Sequence, residues 1–397
     1  MDTGEYSEKK DLDQHILFKT KRPLLEYLDI ELTERCNNNC IHCYINLPHD
    51  DQTAIKRELT TDEWKDILTQ AAAMGVLLVR FTGGEPLLRE DFTELYLHAR
   101  HLGMRVLLFT NGRGITPELA ALFLRVPPLE KIEVTVYGMR AKTYEAVSGV
   151  PGSFDEFWRG VQCLLSSGVP FIVKGAFLPQ NKIDQDRFEK WAETIPWMEG
   201  GPSYSMSFDL RGRRDSTQKN QRISRLRANP QENLKVQIKA EAQYRKEMKT
   251  FCARFMGSSG PQLFSCGAGN HVCIDAYGII QPCLLLRMPE VCYDIRRGSL
   301  REALTDFFPR IKKMSTENPD YLNRCGQCFI KGLCEQCPAK SWSEHGTLDT
   351  PVEYFCQIAH AQARYLGLVE PGESAWEVRN GDERVRNFTN LESSHPG

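Results

Sequence analysis

Cysteine is the residue whose type and spacing could do chemistry here, and its fourteen copies are spread unevenly over 397 residues. Three stand together in Glu34-Arg-Cys36-Asn-Asn-Asn-Cys40-Ile-His-Cys43-Tyr44, and nine crowd the last third, with only Cys163 and Cys252 between. Three thiolates at that spacing on one loop can take three corners of an iron–sulfur cube and leave the fourth iron open to a ligand. A structural zinc site would want a fourth protein ligand, for which His42 and His49 are nominal candidates. Further on stands Thr82-Gly-Gly-Glu-Pro86, where Gly83 and Gly84 permit close backbone approach and Glu85 can accept from an ammonium group. Toward the C-terminus Cys266 is followed by Gly278 and Cys283, then by Cys325-Gly-Gln-Cys328, Cys334, Cys337 and Cys356. Paired CxxC steps of this kind suit two iron–sulfur clusters or two zinc sites.

The elements that must hold these groups alternate. Leu28–Leu32 reads as a strand leading into the first cysteine loop, and Thr60-Thr-Asp-Glu63 as a capping box that opens a helix. Val76–Phe81 is a buried strand that ends at the glycine pair, followed by a helix over Asp91–Leu102. Strands over Arg105–Thr110 and Lys131–Tyr137 flank a helix starting near Pro117. An amphipathic helix (Phe154–Ser167), a fifth strand (Phe171–Phe177), a helix (Asp184–Thr194) and a sixth strand (Tyr204–Leu210) complete the series. Repeated βα units imply a parallel sheet, doubly wound or curved into a barrel, with functional groups at the carboxyl ends of its strands. Both early motifs fall at such ends. Asn111, Thr135, Tyr137, Lys174 and Arg211 are softer candidates for lining the same cavity.

CxxxCxxC followed by GGEP on a βα repeat resembles the radical S-adenosylmethionine (radical SAM) superfamily, over about Leu25 to Leu210. The resemblance implies an α/β fold: an open, partial (β/α)6 barrel in which Cys36, Cys40 and Cys43 hold a [4Fe–4S] cluster whose open iron chelates SAM. It further implies that His42 lies against adenine and that Gly83, Gly84 and Glu85 contact the methionyl ammonium; of the strand-end candidates, Asn111 and Thr135 are expected as cofactor contacts. The C-terminal spacing resembles the SPASM extension of these enzymes, which carries two auxiliary iron–sulfur clusters. By that resemblance Cys325, Cys328, Cys334 and Cys356 hold the second, and Cys266, Cys283 and Cys337 the first, with Cys273 a fourth candidate. The Cys334–Cys337 interval is two residues where the pattern has three. The implied division is an extension (1–24), the barrel (25–215), a charged helical linker (216–262), a SPASM domain (263–370) and a polar tail (371–397) expected to fray.

Composition narrows the setting. Lys and Arg total 50 against 52 Asp and Glu, so no global field asks for nucleic acid. The apolar runs are too short for a membrane span and the N-terminus has no hydrophobic core, so a reducing cytoplasm is expected, where thiols serve metals and not disulfides. Cys163, Cys252 and Cys292 read as structural. From Arg211 to Arg227 bases dominate, with Asp215 as the lone acid, which makes the run a solvated face or a dock for an acidic peptide. SPASM-bearing enzymes chiefly modify ribosomally made peptides or proteins, so the implied function is such maturation by C–H activation. The implied partners are that substrate and an electron donor such as flavodoxin or ferredoxin; because some 25 residues before the first strand are too few for a winged helix, either a separate leader-binding protein serves the substrate or the barrel and SPASM surfaces recognise it directly. The alternatives are a formylglycine-forming sulfatase maturase and, in another class, a non-catalytic metal-binding or electron-transfer protein. Against the maturase, Leu284 follows Cys283 where an acid would be needed as base.

Overall fold

The computed structural model of the protein describes residues 25, 27–266, 268–334 and 337–390. The strands and helices alternate as the sequence pattern requires. Every residue of β1 (Leu28–Thr33) is buried. The capping box forms, with Thr60 accepting from the Glu63 amide and Glu63 reaching back to that of Thr60, and it opens α1 (Thr61–Ala73). Trp64, Ile67, Leu68 and Ala71 recur at helical spacing and form its buried stripe. Then come β2 (Leu78–Gly83), α2 (Phe92–His101), β3 (Arg105–Thr110), α3 (Pro117–Arg125), β4 (Leu129–Val136), α4 (Ala141–Ser148), α5 (Ser153–Ser167), β5 (Ile172–Ala176), α6 (Gln185–Ala192), β6 (Ser203–Ser205) and α7 (Thr217–Leu226). Strands β1 to β6 pair in parallel and in chain order. The expected sixth strand shrinks to three residues, and α4 has no counterpart in the sequence reading.

One face of the sheet carries Leu28, Ile30, Val79, Phe81, Val106, Leu108, Ile132 and Val134, all buried. Side chains alternate along a strand, so the other face carries Asp29, Glu31, Arg80, Thr82, Phe109, Glu133, Thr135 and Lys174. That polar face is where chemistry can be placed.

The sheet also grows on its β1 side. β7 (Val272–Ile274) runs parallel to β1, with Asp29 opposite Cys273, and β8 (Ile279–Gln281) and β9 (Tyr293–Asp294) follow antiparallel. The nine-stranded order is β9-β8-β7-β1-β2-β3-β4-β5-β6. Residues 267–309 thus belong to one compact unit with the chain up to Leu226, although the linker separates them in sequence.

The second unit takes residues 227–266 and those from 310 on. Its longer helices are α8 (Pro230–Gln237), α9 (Glu241–Phe255), α10 (Pro338–His345), α11 (Glu353–Leu366) and α12 (Gly381–Asn390), with a short 3-10 turn at Ile238–Ala240 between α8 and α9. Tyr244, Cys252, Phe329, Ile330, Leu333, Ala363, Leu366 and Phe388 form its core. Cys252 is therefore packing, as expected, whereas Cys163 is only half-buried. The segment after Glu370 does not fray: Ala375 and Phe388 are buried. An apolar residue every few positions was enough to seat it. The N-terminal extension and residues 391–397 lie outside the described residues.

Candidate active site

The first cysteine loop leaves β1 and folds back so that Arg35–Cys36 pairs with Leu47–Pro48. Asn39 and Ile41 donate their amides to Ser148 and Val147 at the end of α4, at 2.8 and 3.0 Å. The helix missing from the sequence reading is thus what braces the loop. Backbone donors face the sulfurs: the Asn38 amide lies 3.3 Å from Cys36 Sγ and the Asn46 amide 3.4 Å from Cys43 Sγ. Burial pushes the thiols of Cys36 and Cys40 well above the ordinary range, and the neighbouring sulfurs raise them further. As ligand anions they would be stable here only against a positive partner, which an iron–sulfur cluster supplies, and in this respect the residues fit the group. The buried Nδ1 of His42, without a hydrogen-bond partner among the described residues, is a second feature that suits a bound molecule. No three His, Cys, Asp or Glu side chains among the described residues are arranged around a single metal ion.

The glycine pair sits against this loop. Gly84 donates to Thr33 O at 2.7 Å and Glu85 to Arg35 O at 2.9 Å. Gly83 has φ +123°, and a Cβ on Gly84 would stand 2.2 Å from Arg35 O and 2.6 Å from Glu34 O. The close approach these glycines allow is to the backbone of the cysteine loop itself. Glu85 is buried, and its carboxylate accepts from Thr110 Oγ1 and the Asn111 amide, each at 2.8 Å, and from the Leu87 amide at 3.2 Å. Burial lifts it to about 7. Asn111 carries the connection back, donating to Asn37 Oδ1 at 2.7 Å and approaching Cys36 Sγ at 3.8 Å. Three strand ends are thereby tied into one patch. Arg113, not singled out from the sequence, reaches Asn38 Oδ1 at 2.7 Å and the Asn37 carbonyl while paired with Glu156 at 2.6 Å.

His42 stands between Tyr137 and Phe208, with ring centroids 5.8 and 4.7 Å away, and burial lowers it to about 4, so its imidazole is neutral. Thr135 lies on the polar face of β4, opposite Lys174 in register. Lys174 pairs with Glu133 and stacks 4.5 Å over the Phe109 ring.

The basic run is neither a solvated face nor a free anion dock at its start. Arg211 is buried, chelates Asp215 at 2.6 and 2.8 Å, and points its remaining donors at Cys43 O and Asn46, each at 3.4 Å. Arg213 pairs with Glu34 and, at 3.1 Å, with Asp215. Both arginines are committed to the cysteine loop. A further buried network lies beside it: Arg287 binds Glu31 at 2.6 Å and Glu34 at 3.0 Å, with Asp275 at 3.7 Å. Burial lifts Glu31 to about 7. Glu34, Arg213, Asp275, Gln281 and Arg287 line a cavity of about 850 Å³ together with Tyr277, Tyr293 and Phe307. Cys273 is buried opposite Asp29, where Glu31 and Asp29 add to the burial that raises its thiol.

In the second unit Cys325, Cys328, Cys334 and Cys356 line one small pocket together with Arg324, Lys331, Val352 and Trp376. Burial raises Cys325 and Cys356, and raises Cys328 to about 12. The same argument from buried thiols applies, so this set also fits a cluster. Cys266 and Cys337 line another cavity of this unit, of about 640 Å³, with Lys331 and Lys340.

A sheet of parallel βα units with a cysteine loop at the end of its first strand and GGEP at the end of its second defines a class of enzyme. Residues 30–194, which carry both motifs, match the Radical SAM superfamily, and the protein is an enzyme. The AdoMet-dependent heme synthase of Methanosarcina barkeri is 27% identical over 335 residues, 80% of this chain and 92% of that protein. The PqqA peptide cyclase of Streptomyces rochei is 47% identical over 91 residues, 23% of this chain and 24% of its own. Among solved structures, Streptococcus suis SuiB bound to S-adenosylmethionine superposes with a TM-score of 0.62 at 16% identity, covering 84% of this chain and 78% of SuiB, and SuiB is also solved with its precursor peptide SuiA. No helix of the described residues is long and apolar enough to cross a membrane.

Proposed function

We propose that the protein modifies a ribosomally made peptide or protein by radical C–H activation, with SAM as radical source and SPASM-type auxiliary clusters in its C-terminal part. A reduced [4Fe–4S] cluster with bound SAM supplies a 5′-deoxyadenosyl radical that removes hydrogen from an unactivated carbon. In this reading Cys36, Cys40 and Cys43 hold that cluster, while His42, Gly83, Gly84, Glu85, Asn111 and Thr135 orient SAM. The observation that supports it is the hydrogen-bonded patch joining the cysteine loop, GGEP and Asn111, in which the Asn111 side chain approaches Cys36 Sγ and its amide bonds Glu85. The adjoining cavity, lined by both paired charges and aromatic rings, suits a peptide segment. The likeness to the peptide cyclase over its shared 91 residues supports the same substrate class. Sulfatase maturation is disfavoured because Leu284 follows Cys283 and because Asp275, an acid of the same segment, is committed to Arg287, Gln281 and two backbone amides.

A second reading has its own support: the heme synthase of Methanosarcina barkeri aligns along most of both chains, which favours a carboxylate-bearing tetrapyrrole. The two separate in one experiment. Anaerobically reconstituted enzyme, SAM and dithionite are incubated with each short peptide found among the open reading frames neighbouring its gene, or with iron coproporphyrin, and the products are weighed by mass spectrometry. A changed peptide mass with 5′-deoxyadenosine release is expected. Turnover of the porphyrin with an untouched peptide would replace the first reading by the second, and formylglycine in a Cys-x-Pro-x-Arg peptide would promote the maturase.

A further inference from the structure

His360 lies one turn after Cys356 on α11 and is buried. Its Nε2 is 3.0 Å from the Ala375 amide. A backbone N–H can only donate, so Nε2 is the acceptor and the proton of the neutral ring sits on Nδ1. That N–H donates to Cys356 O at 2.8 Å, with Cys356 Sγ at 3.6 Å as its second, longer acceptor. The Ala375 amide thus fixes a tautomer whose N–H is turned toward the cysteine. Arg324 brings Nη2 to 4.0 Å from the same sulfur. It is held there by Glu353 at 2.6 Å and by the Trp376 ring, 4.8 Å beneath its guanidinium. Trp376 also packs edge-on to His360, with centroids 5.3 Å apart, and lines the pocket of the four cysteines.

Donors aimed at a ligand sulfur withdraw negative charge from it, and so favour the reduced, more negative form of a cluster. We propose that His360 and Arg324 are positioning residues that raise the reduction potential of an auxiliary iron–sulfur cluster held by Cys325, Cys328, Cys334 and Cys356, with the Ala375 amide setting the imidazole tautomer and the Trp376 ring packing against both groups. The proposal rests on the auxiliary-cluster reading given above. It also explains why the C-terminal segment is seated on the second unit, since Ala375 and Trp376 lie beyond residue 370, in what the sequence presents as a tail.

The test is a redox titration of the anaerobically reconstituted holoenzyme, followed by electron paramagnetic resonance, beside His360→Phe and Arg324→Gln. Each variant should keep its iron and show a lower midpoint potential for this cluster, by about tenfold in the one-electron equilibrium, or about 59 mV. His360→Asn, whose amide can donate from near the Nδ1 position, should recover most of the shift. Unchanged potentials in both variants at full iron content overturn the proposal. Loss of the cluster from both overturns it as well, since the groups would then hold the site together without setting its potential. The underlying reading is checked separately: if Cys325→Ala with Cys328→Ala loses no iron relative to the parent, the auxiliary cluster itself is wrong.

Discussion

Arg211 shows how a residue's role can be the reverse of its appearance. In sequence it opens a basic run; in the fold it is a buried guanidinium whose fork closes on Asp215 and whose other donors hold the carbonyls after Cys43. Removing one partner of a buried pair leaves the other charge uncompensated, which costs about 3–5 kcal/mol when both are buried. Asp215 is a third exposed and keeps Arg213, so the loss here is smaller. Arg211→Met should lower the unfolding free energy by about 2 kcal/mol, read by urea titration, and should reduce the iron retained at the first site. A variant of full stability and full iron, altered only in the salt dependence of substrate KM, would restore the docking role.

At the scale of elements, the join between β1 and the β7–β8 hairpin is electrostatically costly. Glu31, Glu34 and Asp275 converge on Arg287, with Arg213 reaching Glu34, so the buried carboxylates outnumber the guanidinium groups that face them. Burial then holds Glu31 protonated up to about 7. An acid whose folded value is raised binds a proton in the folded state that the unfolded chain has already released. Its stability contribution is complete below about pH 4.5 and is lost as pH rises through about 7. The loss is at most about 3 kcal/mol. The unfolding midpoint should therefore fall between pH 5 and 7.5, and Glu31→Gln should flatten that slope. A wild-type midpoint that does not change over this range would show that Arg287 alone neutralises the network.

For the molecule as a whole, the prediction concerns metal content. Under the proposed function, with one [4Fe–4S] cluster on each of three cysteine sets, about twelve iron per chain are expected after anaerobic reconstitution. Changing Cys36, Cys40 and Cys43 together to Ala should remove about four of these and abolish 5′-deoxyadenosine formation. Changing Cys325 and Cys328 should spare uncoupled SAM cleavage and stop product formation. Circular dichroism must first show both variants folded, because cluster binding contributes to folding. Zinc with little iron in strictly anaerobic protein would end the radical reading.

Local pattern carried most of the barrel: the Thr60–Glu63 capping box, the apolar stripe of α1 and the period-two strands each depend on neighbours within a few residues, and they stand where local pattern puts them. The spacing of Cys36, Cys40 and Cys43 and the run Gly83-Gly84-Glu85 were legible for the same reason. What could not be read was anything made by distant partners. α4 is only eight residues long and matters because its last carbonyls receive Asn39 and Ile41. The β7–β8 hairpin is three residues per strand, and only pairing with β1, far away in the chain, makes it part of the sheet. Arg211, Arg213 and Arg287 look like surface charge until the fold removes water from around them and sets carboxylates against them. Ala375 and Trp376 look like tail until the core of the second unit brings them to His360 and Arg324. Residue order alone dictates which atoms can bind metal and how the βα units succeed one another. Which charges are buried, and which hydrogen bonds each sulfur receives, is settled only in the folded chain, because both depend on desolvation by segments that are remote in sequence.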